Sequence, residues 1–176
     1  MNAITITEIG NAHSEAVVDL ILPIQTIEFK VPLTLSDQPD LLTIDAFYRK
    51  DGGNFWGAFD GPALVGTIGL VRFHPGAAAI RKMFVRKAYR GRERGVATAL
   101  LAQLTGYARA IGIKDIYLGT VHVLHAAHRF YERSGFQKIE KHQLPPGFPA
   151  MPAEDVYYHL SLPALGESRT KSTGCG

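Results

Sequence analysis

The sequence predicts a mixed-sheet α/β protein. Three observations carry that prediction. One short strand pattern is followed by two helical patterns. Three strand-like runs separated by tight turns come next, as in an antiparallel meander. A long amphipathic helix then joins two apolar runs, the arrangement a strand-helix-strand crossover requires.

The elements follow in chain order. Ile4 and Ile6 alternate with Thr5 and Thr7, which reads as a first strand. Ser14 is placed to cap a helix carrying Ala16, Val17, Leu20 and Ile21, and Pro23 is expected to end or kink it. Residues 24–36 fit neither period. Asp37 or Gln38 before Pro39 opens a second helix with Leu41, Ile44 and Tyr48 on one face, and Asp51-Gly52-Gly53 breaks it. Phe55 to Phe59 and Leu64 to Phe73 form two strands around the turn signal Asp60-Gly61. After His74-Pro75-Gly76, Ile80 to Val85 is the third strand of the meander. Val96, Leu100, Leu101, Leu104, Tyr107, Ala108 and Ile111 keep the helical period, and Gly112 supplies a C-terminal stop. Ile116 to Val121 is short and mostly apolar, so it belongs in the sheet interior. Ala126 to Ser134 is a short helix stopped at Gly135. Phe136 to Lys141 and Val156 to Leu162 are closing strands around a Pro-rich loop, Leu144 to Pro152.

Composition sets the bounds. Apolar and charged fractions of 46% and 20% belong to a globular chain rather than a disordered or membrane one. Residues 1–162 suffice for one domain, and the polar, aperiodic residues 163–176 read as a disordered tail. A net charge of +3 favours anionic ligands without indicating nucleic acid. Cys175 is the only cysteine, which excludes an internal disulfide and fits a reducing compartment. The N-terminus lacks a basic segment followed by a long apolar run, and Ala16 to Phe29 is interrupted by Asp19, Pro23 and Glu28. The expected location is cytoplasmic, with no membrane partner.

The chemistry is concentrated at the junction Val85-Arg86-Lys87-Ala88-Tyr89-Arg90-Gly91-Arg92-Glu93-Arg94-Gly95-Val96-Ala97. A strand ends, a basic glycine-bearing turn follows, and a long helix begins. The first turn of a helix has unpaired N–H groups and a partial positive charge, so it favours an anion such as phosphate. Gly95 has no Cβ, which lets a phosphate approach the backbone. Arg90, Arg92 and Arg94 add mobile positive charge. Val96 and Ala97 stand where a P-loop needs Lys and Ser/Thr, and the Rossmann Gly-x-Gly-x-x-Gly is absent, which excludes both nucleotide motifs. One short arginine cluster without interleaved aromatics is a thin basis for nucleic-acid binding, so no such partner is expected.

Arg92-x-x-Gly95-x-Ala97 resembles the pyrophosphate-binding motif of the GNAT superfamily of N-acetyltransferases, Gln/Arg-x-x-Gly-x-Gly/Ala. A second match lies downstream. Ala127, Tyr131, Gly135 and Phe136 fall on the family's late helix pattern, Asn-x-x-Ala-x-x-x-Tyr-x-x-x-Gly-Phe. The resemblance implies a mixed, mostly antiparallel sheet with flanking helices. Its two parallel strands, here Ile80–Val85 and Ile116–Val121, splay apart. Cofactor enters the gap from one side and acceptor amine from the other. The resemblance further implies that backbone amides of Arg92, Glu93, Arg94, Gly95, Val96 and Ala97 hold the pyrophosphate of acetyl-CoA. Met83, Phe84 and Val85 would run beside the pantetheine arm. Tyr131 would be the catalytic acid that protonates the departing thiolate. The acceptor is a small-molecule, peptide or protein amine, and a homodimer is compatible with the pattern. The rival readings are a non-catalytic acyl-CoA-binding module and a transferase of another acyl group.

Two positions depart from the family. Leu124 stands where Asn is usual, with His125 beside it as a substitute. Ala79 stands where some members carry a strand Glu as base, so Glu28, His74, His122 and Asp155 are the alternatives. His122, His125 and His128 fall three apart, but no cysteine or carboxylate completes a set beside them, and no metal is expected. Strand alternation sends only one of Arg81 and Lys82 to the acceptor face, where it would bind an acidic group of the substrate.

Overall fold

The computed structural model describes residues 3–164, so Cys175 and the polar segment past Ala164 lie outside the described residues. Seven strands form one sheet in the order β1-β2-β3-β4-β5-β7-β6. They are β1 (Ile4–Glu8), β2 (Asn54–Asp60), β3 (Ala63–His74), β4 (Ala77–Val85), β5 (Asp115–Thr120), β6 (Gln137–Ile139) and β7 (Val156–Ser161). Only β4 and β5 run parallel; the other neighbours are antiparallel. The helices are α1 (Ser14–Pro23), α2 (Ile44–Arg49), α3 (Val96–Ala110) and α4 (His125–Arg133).

Each face of the sheet has its own core. On one, Trp56, Ile68, Ile116 and Tyr158 meet Leu100 and Leu104 of α3 and Tyr131 of α4. On the other, Phe55 and Leu64 meet Val17, Leu20 and Ile21 of α1 and Ile44 and Tyr48 of α2. Leu100 and Leu104 are fully buried, and such a side chain contributes about 1.5–3 kcal/mol. Gly112, φ +85°, ends the α3 turn as its position in the sequence predicts.

Two local expectations change, and one between them holds. Ser14 is the first helical residue rather than the cap; His13 precedes it and makes no side-chain capping bond. The α-helical geometry ends at Pro23, as expected. The chain continues as a wider π turn over Ile24–Glu28, closed by Phe29 N–H donating to the Ile24 carbonyl at 3.1 Å. Within it the Thr26 hydroxyl donates to the Leu22 carbonyl at 2.7 Å. The predicted second helix is broken at Thr43 into a 3-10 turn, Pro39–Leu42, and α2. Leu41, Ile44 and Tyr48 are still buried together.

Candidate active site

The two parallel strands pair only at their beginnings, Ala77 with Asp115, Ala78 with Ile116 and Ala79 with Tyr117. Beyond Ala79 the β5-facing edge of β4 has no strand partner, and the strands diverge into a cleft. Met83, Phe84 and Val85 lie along this open edge. Their other edge is held by β3, through Phe84 opposite Thr67 and Val85 opposite Gly66.

A bulge shapes β4 inside the cleft. Lys82 and Met83 together stand against the single residue Ile68, and Lys82 adopts φ +53°. A side chain in the left-handed region costs roughly 1–2 kcal/mol. The fully buried Thr67 hydroxyl holds it there, donating to the Lys82 carbonyl at 2.7 Å. The bulge resets alternation. Ile80, Met83 and Val85 face the α3/α4 core, whereas Arg81, Lys82 and Phe84 face the α1/α2 side. The expectation that Arg81 and Lys82 part to opposite faces is therefore corrected. Arg81 stands opposite Gly69, whose missing Cβ would lie 2.8 Å from the Tyr48 ring on that same side.

The basic turn is built as a scaffold. The Arg86 amide donates to the Val65 carbonyl at 2.8 Å, and its guanidinium donates to the Leu64 carbonyl at 2.9 Å. The Tyr89 hydroxyl donates to Asp60 at 2.6 Å. Arg90, expected as mobile charge, has partners within the protein: it donates to the Val85 carbonyl, pairs with Glu28 and lies over the Phe29 ring. Gly91 and Gly95 take φ +110° and +65°, conformations that favour glycine. A Cβ at Gly95 would meet nothing within 4 Å, so the backbone there is open. Gly95 precedes α3 with no side-chain cap, and the first α3 turn closes with Ala99 N–H donating to the Gly95 carbonyl at 2.9 Å. The Arg94 and Gly95 amides, expected from the motif to serve as donors, instead donate to the Gly91 carbonyl at 3.2 and 3.3 Å, which leaves the amides of Val96, Ala97 and Thr98 as the donors this helix start offers an anion. Arg92, Glu93 and Arg94 form the exposed approach to them, with the Arg94 guanidinium 5.3 Å from the Tyr89 ring centre.

Tyr131 is buried at the α3/α4 side of the cleft, among Phe130, Phe136 and Tyr158. Its hydroxyl reaches β4, where it donates to Met83 Sδ at 3.6 Å. Burial, with the neighbouring Tyr158, pushes its pKa well above that of an ordinary phenol, so it keeps its proton at neutral pH. Leu124 precedes α4 without a side-chain cap, and His125 is exposed. His128 instead ties the helix to the end of β5 through Nε2 and the Val121 carbonyl, 2.9 Å apart.

The α1/α2 side is polar where it meets β4. Gln25 and Gln38 exchange side-chain hydrogen bonds of 2.9 and 2.8 Å, and the Gln38 oxygen also accepts from Lys82 Nζ. Asp40 lies 4.0 Å from Lys82 Nζ and accepts from the Tyr48 hydroxyl at 2.6 Å. Burial lowers the Lys82 pKa to about 8, against the opposing pull of Asp40. Arg81 donates to the Pro149 carbonyl at 3.2 Å and to Met151 Sδ at 3.0 Å, drawing the Pro-rich loop under this face.

Glu154, absent from the sequence-derived candidates, stands here as well. A Cβ on Gly119 of β5 would lie 2.1 Å from its Oε2, so the carboxylate occupies the room that glycine leaves. That oxygen is buried and has no hydrogen-bond partner. Leaving a buried acceptor unpaired costs about 1–3 kcal/mol, more when it is charged. Burial raises its pKa, opposed by the Met151 amide, Arg81 and Lys82. The other carboxyl candidates are committed elsewhere. Glu28 is paired with Arg90, whose hydrogen bond holds its pKa below the usual range. Asp155 accepts from the His122 amide at 2.8 Å and faces its ring on the surface. His74 accepts from the Gly76 amide in the β3–β4 turn, at the paired end of β4. Among the described residues no group of three or more His, Cys, Asp or Glu side chains is arranged to hold a metal, and no helix is long and apolar enough to cross a membrane.

Comparison with known proteins agrees with this architecture. The sequence profile of the Acetyltransferase (GNAT) family matches residues 18–136. An acetyltransferase of the GNAT family from Staphylococcus aureus Mu50 superimposes with a TM-score of 0.87 at 36% identity, covering 92% of this chain and 100% of that one. An acetyltransferase from Streptococcus agalactiae 2603 does so with a TM-score of 0.87 at 29% identity and the same coverage, 92% and 100%. N-acetylaspartate synthetase of Danio rerio is 31% identical over 126 residues, which are 69% of this chain and 44% of that one. The chain thus spans less than half the length of that relative.

Proposed function

The chain belongs to the acetyltransferase (GNAT) family, and from that premise we propose that it transfers an acetyl group directly from acetyl-CoA to a primary amine. The observation that carries the reading is the Tyr131 hydroxyl set against Met83 on the unpaired stretch of β4. A thioester lying along Met83, Phe84 and Val85 would bring its sulfur within reach of a phenol that holds its proton. The pyrophosphate would lie on the turn Arg92, Glu93, Arg94, Gly95, Val96 and Ala97, held by the free Val96 and Ala97 amides rather than by those of Arg94 and Gly95, which fits the open backbone at Gly95 and the uncapped start of α3. Acetyl-CoA supplies the activated acyl group. Tyr131 supplies the proton that lets the thiolate leave.

The acceptor enters from the α1/α2 side and carries an acidic group. Arg81 and Lys82 both face that side, and the Danio rerio relative is named for an acetylated amino acid with two carboxylates. Calorimetric titration with acetyl-CoA, followed by turnover of an amine panel containing L-aspartate and amines that carry no acidic group, tests the reading. Micromolar binding of acetyl-CoA with preference for acidic amines is the expected result. Binding without turnover of any amine would favour a non-catalytic acyl-CoA-binding module, and faster turnover of longer acyl-CoA donors would favour another acyl group.

A further inference from the structure

We propose that Glu154 is the group that takes the proton from the acceptor amine, acting from the face of the sheet opposite Tyr131. The inference rests on the acetyltransferase reading of the site and assigns the base that the β4 sequence lacks at Ala79.

Placement is the first argument. Gly119 lies two residues past Tyr117, the last β5 residue paired with β4, so the Glu154 carboxylate borders the diverging part of the cleft. Side chains of β5 alternate. Ile116 and Leu118 enter the α3/α4 core, which turns Tyr117 and Gly119 to the other side. Tyr131 therefore approaches the reacting atoms from the α4 side, and Glu154 from the side where Arg81 and Lys82 face. An acid for the leaving sulfur and a base for the entering nitrogen belong on opposite sides of the carbonyl being attacked.

The unmet Oε2 is the second argument. Among the described residues Asp40, Glu28, Asp155 and Asp115 all have hydrogen-bonded or ionic partners in Tyr48, Arg90, His122 and His159. Glu154 Oε2 is buried without one. A buried acceptor left open beside a cleft is suited to a donor that arrives with substrate. An ammonium group is such a donor. Arg81 and Lys82 of β4 and Tyr157 of β7 face Glu154, with the Met151 amide from the loop, and Lys138, Glu140, Lys141 and Asp155 line the surface pocket that Glu154 also borders. Burial raises the carboxyl pKa above its ordinary value, which makes the carboxylate a stronger base.

The protons balance. One leaves the ammonium for the Glu154 carboxylate and is later released to solvent. The neutral nitrogen then forms its bond to the acyl carbon as the carbon–sulfur bond breaks. The second proton leaves that nitrogen and replaces the one Tyr131 gives to sulfur. The products are the N-acetyl amine, the free thiol of CoA and one proton.

The test uses the full chain, with L-aspartate as acceptor and hydroxylamine as an amine already neutral at pH 7. Glu154→Gln should lower kcat/KM for L-aspartate at least about thirtyfold, within the range of a lost general base, with the acetyl-CoA Kd within about twofold. The acidic limb of the kcat/KM–pH profile should vanish, and the defect should shrink with hydroxylamine. Glu154→Asp should keep the limb at reduced rate. An unchanged kcat/KM in Glu154→Gln, or a fall that leaves the acidic limb in place, would overturn the assignment. Failure of the wild-type chain to bind acetyl-CoA would overturn the functional reading instead.

Discussion

Tyr131 and Met83 meet across the cleft, the hydroxyl of α4 donating to the thioether of β4 at 3.6 Å. That contact measures how near the phenol stands to the strand beside which a thioester would lie. The ring is fixed on three sides by Phe130, Phe136 and Tyr158, so Phe should replace it without repacking. Tyr131→Phe is expected to lower kcat by at least about tenfold, the low end for a lost general acid. The acetyl-CoA Kd should stay unchanged. Steady-state kinetics beside calorimetry separates the two, and full activity would return Tyr131 to a packing role.

Gly95 is expected to bear on cofactor binding through both its conformation and its openness. At φ +65° any other residue is strained, by roughly 1–2 kcal/mol for most and less for Asn. No atom lies within 4 Å of a Cβ there, so the folded chain has room for a side chain. Gly95→Glu should abolish acetyl-CoA binding by placing bulk and negative charge against the phosphates. Gly95→Asn should lose far less affinity at a similar melting temperature. Equal affinity of Gly95→Glu and wild type would remove the pyrophosphate from this turn.

Lys82 gives a pH dependence whose sign is fixed. Its folded pKa is lowered to about 8 from 10.5, so the folded chain releases this proton before the unfolded chain does. The contribution of Lys82 to folding should therefore become more favourable as pH rises from about 8 to 10.5. Recognition of an acidic acceptor should move the other way, because the cation is lost over the same range. The KM for L-aspartate should rise above pH 8 in the wild type, whereas Lys82→Met should show a high KM that is flat there. A wild-type KM independent of pH up to 10 would detach Lys82 from the acceptor.

The fold is written locally, and for that reason it reads from the sequence. Val96, Leu100 and Leu104 recur at helical spacing because one side of α3 lies on the sheet, and the turns at Gly61, Gly112 and Gly135 are glycines at positive φ. What escapes the sequence is set by distant partners. The Thr67–Lys82 hydrogen bond holds the bulge that puts Arg81 and Lys82 on one side, and no residue of β4 announces it. The π turn after Pro23 escapes the sequence too, because residues 24–28 keep no single period although Phe29 N–H closes the turn on the Ile24 carbonyl. Gln38 and Asp40 resemble surface residues near a proline until Gln25, Tyr48 and Lys82 close around them. Glu154 looks like one acid of an exposed Glu-Asp pair, because its burial depends on Gly119, a different strand.

That dependence supplies a separate check on Glu154. Ala at position 119 would set a Cβ 2.1 Å from Oε2, so the carboxylate must move. The obstructing atom is the far end of a flexible side chain, and Gly119 does not have positive φ, so the strand should accept Ala. Gly119→Ala is therefore expected to keep or slightly raise the melting temperature while reproducing the Glu154→Gln phenotype: depressed kcat/KM for L-aspartate, an unchanged acetyl-CoA Kd and a weakened acidic limb. Combining the two substitutions should cost little more than either alone, since both act on one carboxylate. Additive losses in that double variant would mean that Gly119 matters for some reason other than the room it gives Glu154.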